Sequence, residues 1–126
     1  MVQMNQASRS PLAETYLRFL QLTRTIQALP DGLVMDANES ALLEAIVVRW
    51  YEEDPMTVRE AINLTTLGSP ATLHKRISRL REKDLLSNFN IEGDKRAKYL
   101  VPTSRTLDYF NQLGRTMHEA QSATRA

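Results

Sequence analysis

The stretch Gly68-Ser69-Pro70 constrains the fold of this chain more than any other short segment. Gly68 suits a turn, the hydroxyl of Ser69 can cap a helix, and Pro70 fits a first helical turn, where no N–H is needed. A shorter helix precedes that turn, because Thr57 and Glu60 have the spacing of a capping box, and it is expected to run to Leu67-Gly68. Two helices joined by a few residues around a glycine are typical of a helix-turn-helix.

The second helix of this pair, predicted over residues 69–83, separates apolar from polar side chains. Its apolar seam consists of Leu73, Ile77 and Leu80, and Leu85 and Leu86 follow it toward the core. The residues off the seam are short, polar or basic: Thr72, His74, Lys75, Ser78, Arg79 and Arg81. We therefore predict that the helix is packed along one narrow side and presents the remaining sides to solvent.

Two longer helices precede the helix-turn-helix. Ser10 before Pro11 predicts the start of a helix over residues 10–29, with apolar residues at Leu12, Tyr16, Phe19 and Ile26. Asp36 and Glu39 form a second capping box, and the helix that they start should bury Leu42, Leu43, Ile46, Val47 and Trp50. We expect this helix to end at 52–55, because the residue before Pro55 avoids helical dihedral angles.

A β-hairpin and a last helix follow the helix-turn-helix. Alternation of Phe89 and Ile91 with Asn88 and Asn90 predicts a strand within residues 85–102, and Gly93 and Asp94 supply the turn. A last helix is predicted over 104–122, with an apolar stripe of Leu107, Phe110, Leu113, Met117 and Ala120 that is wider than one small core requires. The predicted fold is mainly α with a small β-hairpin: a winged helix-turn-helix in one domain, 1–126, with N- and C-terminal dimerisation helices.

Charge is unevenly distributed along a chain whose total is only +1. Residues 31–60 carry eight acidic side chains and two arginines, a net charge of −6, whereas residues 69–98 carry eight basic and four acidic side chains, a net charge of +4. Local charge determines what a surface attracts. A solvated face of mixed charge is one interpretation, and a surface for the phosphates of double-stranded DNA is the other.

The helix-turn-helix, the basic helix and the basic hairpin together favour DNA. A major groove admits one α-helix, while a hairpin beside it can reach the minor groove or the backbone. The DNA-binding core is expected at 38–103. The candidate DNA-binding residues are Ser69, Ala71, Thr72, His74, Lys75, Arg76, Ser78, Arg79, Lys95, Arg96 and Lys98. The alternative is a winged-helix module that docks proteins, since one fold serves several functions.

Residues 38–106 resemble the MarR-type winged-helix transcriptional regulators. The resemblance is carried by SPATLHKRISRLREKDLL, by TVREA at 57–61 and by GDKRAKYLVPTS, which is similar to the Asp-x-Arg wing motif of that family. It implies that Arg96 reaches a minor groove, that Asp94 supports the wing tip, and that residues 10–29 and 104–122 form a homodimer. It also implies a small aromatic effector. Asp84 stands where the family usually has a glycine at the end of the second helix.

Other functional classes find little support in the residues. The chain has no cysteine, so it can form neither a disulfide nor a thiol-based site. His74 and His118 are far apart in the sequence and lack a carboxylate cluster, so neither a metal site nor a cofactor is expected. The sequence shows no pairing of a nucleophile with a base that would indicate an enzyme. No apolar run suits a membrane span and no signal peptide is present, so a cytoplasmic protein is expected.

Overall fold

A computed structural model describes residues 10–30, 32–90 and 98–125. The chain divides into two compact units: one contains the residues up to 34 and those from 109 onward, and the other spans 35–108. The elements are α1 (Pro11–Gln27), α2 (Ala37–Tyr51), α3 (Val58–Ile62), α4 (Pro70–Glu82), β1 (Leu86–Phe89), β2 (Tyr99–Pro102) and α5 (Ser104–Arg125). The prediction of a mainly helical fold with one small hairpin is confirmed.

The predicted helix starts are present with their caps. The hydroxyl of Ser10 accepts a hydrogen bond from the backbone N–H of Ala13 at 3.1 Å, which begins α1. At the start of α2, Asp36 accepts from the N–H of Glu39 at 2.7 Å, and the Glu39 carboxylate accepts from the N–H of Asp36 at 3.3 Å. Thr57 and Glu60 form the same reciprocal pair at the start of α3.

Helix α3 is shorter than the sequence predicted. It ends at Ile62 and not at Leu67-Gly68, and residues 63–67 form turns. The side-chain amide of Asn63 donates to the carbonyl of Arg59 at 2.9 Å, and the backbone N–H of Asn63 donates to the carbonyl of Glu60. Asparagine competes in this way for backbone groups and favours turns over helix interiors. The correction lengthens the turn between α3 and α4.

Helix α2 ends at Tyr51 with Glu52 as its C-cap, so the predicted end at 52–55 is confirmed, but its cause is not Pro55. Glu53 has a positive φ of 63°, its N–H donates to the carbonyl of Trp50, and the N–H of Asp54 donates to the carbonyl of Arg49, each at 3.0 Å. This is the Schellman arrangement, in which a left-handed residue satisfies the last helical carbonyls. The helix is therefore ended by its own cap, and Pro55 only follows it.

The hairpin pairs β1 and β2 in antiparallel register, with Leu86 opposite Pro102 and Asn88 opposite Leu100. The short segment before α3 pairs with the other edge of β2, where the N–H of Leu100 donates to the carbonyl of Met56 at 2.8 Å. Residues 91–97, which include the predicted turn and basic wing tip, lie outside the described residues. Phe89 is on the strand face opposite to Leu100 and is 54% exposed.

The core of the 35–108 unit lies where α2 contacts α4 and β2, and where α4 contacts α3 and β1. Its completely buried apolar residues are Leu42, Leu43, Ile46, Ala61, Leu73, Ile77, Leu80, Leu85 and Leu100. All three residues of the predicted seam of the basic helix are among them. The packing of this unit thus fixes which side of α4 is left for solvent.

Helix α5 buries only part of the predicted apolar stripe. Of that stripe Ala120 is buried, whereas Met117 is 61% exposed and Leu107 is 39% exposed. Thr106, Tyr109 and Thr116 are buried as well, and the hydroxyl of Thr106 donates to the carbonyl of Leu85 at 2.6 Å. Buried threonines with hydrogen-bond partners belong to the packed side as much as leucines do, so apolar periodicity alone did not identify every buried position.

Candidate nucleic-acid interface

Helix α4 has two chemically distinct sides. The seam of Leu73, Ile77 and Leu80 has no exposed surface at all. The opposite side is open to solvent, and its exposed members near the start and middle of the helix are Ala71, His74, Lys75 and Arg79. Thr72 and Ser78 lie at the margins and are half-buried. A complete apolar seam on one side leaves the other free to contact a partner without loss of core packing.

The start of α4 is closed by Ser69 and Thr72. The Ser69 hydroxyl accepts from the backbone N–H of Thr72 at 3.3 Å and donates to the Thr72 hydroxyl at 2.9 Å. Pro70 occupies the first turn, as predicted. Two of the three predicted DNA-binding hydroxyls, those of Ser69 and Thr72, are therefore part of the cap, and this cap fixes the direction in which the first turn of α4 points.

Arg76 points back into the helix-turn-helix. Its guanidinium donates to the carbonyl of Leu67 at 2.8 Å and lies close to Gly68, whose φ of 153° is rare for residues with side chains. The positive charge of Arg76 also helps to lower the pKa of Asp36, although the N–H of Glu39 is the largest cause. Arg76, predicted as a phosphate contact, thus stabilises the turn before α4 with part of its guanidinium.

The end of α4 is held against α2 by an ion pair. The ammonium of Lys83 lies 2.8 Å from the carboxylate of Glu39, whose side chain is only 5% exposed. Glu39 also belongs to the capping box of α2, so one carboxylate connects the start of α2 with the end of α4. Breaking such a pair is costly because it leaves a buried charge without a partner.

The first turn of α5 binds the carbonyls at the end of α4. The hydroxyl of Thr103 donates to the carbonyl of Asp84 at 2.7 Å, and Arg105 donates to the carbonyl of Lys83 at 2.8 Å. Thr106 donates to the carbonyl of Leu85. Asp84 itself has a left-handed φ of 60°, a conformation that glycine adopts at lower cost. Sequence reasoning missed these three residues, although Thr103-x-x-Thr106 after Pro102 resembles a helix start.

The hairpin is attached to α4 through Arg81, whose guanidinium donates to the side-chain carbonyl of Asn88 at 3.1 Å. Lys98, at the base of the wing, is exposed. Asp94, Lys95 and Arg96 lie outside the described residues. Four residues of the predicted DNA-binding set therefore lie together on one open face: Ala71, His74, Lys75 and Arg79.

The described ranges 10–30, 32–90 and 98–125 contain no group of three or more His, Asp or Glu side chains arranged to hold a metal ion. None of the helices in these ranges is long and apolar enough to cross a membrane.

Comparison with known proteins finds similarity in structure only. No protein-family model matches the chain, and no curated protein matches it by sequence. Among solved structures it is similar to a mutant of Staphylococcus aureus MepR bound to an oligodeoxyribonucleotide, at 12% identity and a TM-score of 0.59, over 89% of this chain and 74% of that one.

Two further structures extend this likeness. AbsC, a MarR family transcriptional regulator from Streptomyces coelicolor, matches at 23% identity and a TM-score of 0.51, over 98% of this chain and 82% of that one. Staphylococcus aureus MarR in complex with salicylate and kanamycin matches at 23% identity and a TM-score of 0.52, over 86% of this chain and 67% of that one. The chain thus has the winged-helix fold of MarR-type regulators, and the predicted resemblance is confirmed in fold.

Proposed function

We propose that this protein is a sequence-specific, double-stranded DNA-binding transcriptional regulator that places α4 in the major groove. One observation carries the proposal: the apolar seam of α4 is completely buried, and its open side presents His74, Lys75 and Arg79. Cations on a protruding helix suit phosphates, and side chains near the helix start suit base edges. The bound oligonucleotide in the MepR structure supports this use of the fold.

The residues divide into two roles under this proposal. Ala71, His74, Lys75 and Arg79 would meet the groove directly. Ser69, Thr72 and Arg76 would shape the turn and the start of α4, because their polar groups already have partners inside the motif. Lys95, Arg96 and Lys98 would reach the minor groove or the backbone from the wing, with Asp94 supporting the tip.

A homodimer is the second part of the proposal. Leu12 is 83% exposed, Tyr16 60% and Leu17 58%, all on α1, and Met117 on α5 is 61% exposed. Large apolar side chains gathered on an open surface are typical of a protein–protein contact. A two-fold dimer would present two copies of α4 to a palindromic site with half-sites about one DNA turn apart.

A small aromatic effector is the third part. A concavity of about 250 Å³ between α1 and α5 is lined by the apolar Leu22 and Ile26, by the polar Thr25, Gln112 and Thr116, and by Arg115 and Glu119, which carry opposite charges. Arg115 would bind the carboxylate of an aromatic acid whose ring lies against Leu22 and Ile26, and salicylate is bound in the MarR structure. Titration with salicylate tests this, with Arg115→Ala expected to weaken binding several-fold, by about 1 kcal/mol.

Selection of bound duplexes from a random pool tests the function itself. We expect one enriched sequence with two related half-sites. Affinity for that duplex should fall steeply with salt concentration, because Lys and Arg release counterions when they neutralise phosphates. No enrichment, together with binding that is flat between low and physiological salt, would favour the protein-docking module instead.

A further inference from the structure

An open cavity of about 430 Å³ lies between the end of α2 and the outer face of the hairpin. Small-molecule sites usually have volumes of roughly 300–1,000 Å³. The lining residues are Trp50, Glu53, Pro55, Phe89, Val101 and Pro102. Five of these six are apolar and one is acidic, so the walls suit a ligand with an apolar body and one charged group.

The electrostatics of the cavity favour a positive charge. Glu53 is the charged residue in its lining, and α2, a helix of 15 residues, points its negative C-terminal end toward the same place. The nearest arginine in the sequence, Arg49, is already bound to Asp54 at 3.0 Å and to Glu60 at 3.5 Å. No ion pair joins Glu53 to a basic residue within the described parts of the chain.

Two aromatic rings line the cavity beside this charge. Trp50 is half-buried, and Phe89 leaves 54% of its surface exposed on the outer face of β1. Aromatic faces attract cations, tryptophan most strongly, with about 0.5–1 kcal/mol at exposed sites. The rings therefore favour the same charge on a ligand as Glu53 does, and they also offer an apolar surface for its body.

The backbone conformation of Glu53 belongs to the cap that ends α2. Its φ of 63° and the hydrogen bond from its N–H to the carbonyl of Trp50 are part of the Schellman arrangement. The cap therefore fixes the backbone of the residue that supplies the carboxylate of the cavity.

We propose that this cavity binds small organic cations that carry an aromatic or apolar group, such as a quaternary ammonium attached to one ring. The site is separate from the face of α4 that we assign to DNA, and the proposal does not depend on DNA binding. It also selects the opposite charge from the aromatic carboxylate that we propose for the surface lined by Arg115.

The test compares two probes of the same shape. Phenyltrimethylammonium carries the charge, and tert-butylbenzene replaces its nitrogen with carbon and is neutral. Trp50 is the single tryptophan of the chain, so its fluorescence reports directly on this cavity. We expect a saturable change with the cation and binding about fivefold weaker for the neutral probe, equivalent to about 1 kcal/mol. Isothermal calorimetry provides an independent measurement of both affinities.

Matched variants then locate the site. Glu53→Gln removes the carboxylate of the cavity, whereas Glu52→Gln removes the same charge from its neighbour, which is not in the lining. Only Glu53→Gln should weaken the cation, by about fivefold. Phe89→Leu keeps an apolar wall without the ring and should also weaken the cation, by about threefold, but not the neutral probe. Circular dichroism checks that each variant is folded.

Three results would overturn the proposal. One is the absence of saturable binding of phenyltrimethylammonium. Another is equal affinity for the charged and the neutral probe. The third is an unchanged affinity for the cation in both folded variants, Glu53→Gln and Phe89→Leu, which would place any binding elsewhere on the protein.

Discussion

Helices α1 and α4 have similar starts but differ in how much of their surface is buried. Each begins with a serine cap and a proline in the first turn, Ser10-Pro11 in α1 and Ser69-Pro70 in α4. All three apolar residues of the α4 seam are completely buried. In α1, only Thr23 is buried, and Tyr16 remains 60% exposed.

The chemistry of the exposed surface separates the two helices in function. What α4 leaves open is polar and basic, so it suits a polyanion. What α1 leaves open includes three large apolar side chains, Leu12, Tyr16 and Leu17, so it suits a second protein surface. The same local signals thus start both helices, and the partner is determined by what the core does not cover.

The largest effect should come from the seam of α4. Leu73→Ala removes a completely buried side chain and should lower the free energy of unfolding by about 2–5 kcal/mol. Val48→Ala, at a position of the same unit that is 53% exposed, should change it by less than about 0.5 kcal/mol. Urea unfolding followed by Trp50 fluorescence measures both. Similar losses in the two variants would contradict the packing described for α4.

A smaller effect is expected on the apolar surface of α1. Tyr16→Asp places a charge in the proposed dimer contact and should weaken dimerisation at least about tenfold, since an unpaired charge is costly to bury. Arg18→Asp introduces the same side chain at an exposed position on the other side of α1 and should leave the dimer intact. Sedimentation over a range of concentrations distinguishes them. A wild-type protein that is monomeric at micromolar concentration would refute the dimer.

The two helices also differ at their ends. Helix α4 is followed by Asp84 at a φ of 60°, whereas α1 ends on Ala28 in a right-handed conformation. Asp84→Gly should therefore raise the free energy of unfolding by about 0.5–1 kcal/mol, and Ala28→Gly should lower it slightly. Urea unfolding followed by circular dichroism gives the sign. A destabilised Asp84→Gly variant would mean that the aspartate side chain itself stabilises the turn.

The smallest effect concerns pH. The backbone N–H of Glu39 lowers the pKa of Asp36 below its ordinary value, so the capping contribution is complete above that value and is lost as the pH falls through the lowered pKa. The Ser10 cap of α1 does not titrate. Asp36→Asn should therefore flatten the fall in urea midpoint below about pH 5, whereas Ser10→Ala should leave its slope unchanged. Parallel curves for all three proteins would contradict this account.

The sequence predicted most of the fold because its signals were local. Serine caps, capping boxes and the seam of α4 depend on neighbours within a few residues, and these predictions are confirmed. The burial of Thr106 in α5 was not predicted, because its partner is not local. Thr106 is buried through a hydrogen bond to Leu85, a residue far away in the sequence, and apolar periodicity does not detect such a partner.

The sequence predicted which residues belong to the candidate site better than it predicted where each side chain points. The exposed positions of Lys75 and Arg79 follow from helical periodicity alone. The inward role of Arg76 depends on the carbonyl of Leu67, in a turn whose length was underestimated because Asn63 ends α3 early. The cavity beside Trp50 and Phe89 could not be predicted, because its prediction requires knowing which face of β1 is covered. That depends on the packing of the whole 35–108 unit.

The central claim is that the open face of α4 reads base sequence, and one binding experiment tests it most directly. Wild type, Lys75→Ala and Arg96→Ala are titrated with matched and mismatched duplexes at several salt concentrations, with circular dichroism as the folding control. Lys75→Ala should cost about 1–3 kcal/mol and relax preference at one base position. Arg96→Ala should weaken all duplexes alike and reduce the salt slope by about 1. If both folded variants bind every duplex as the wild type does, the proposed DNA face is wrong.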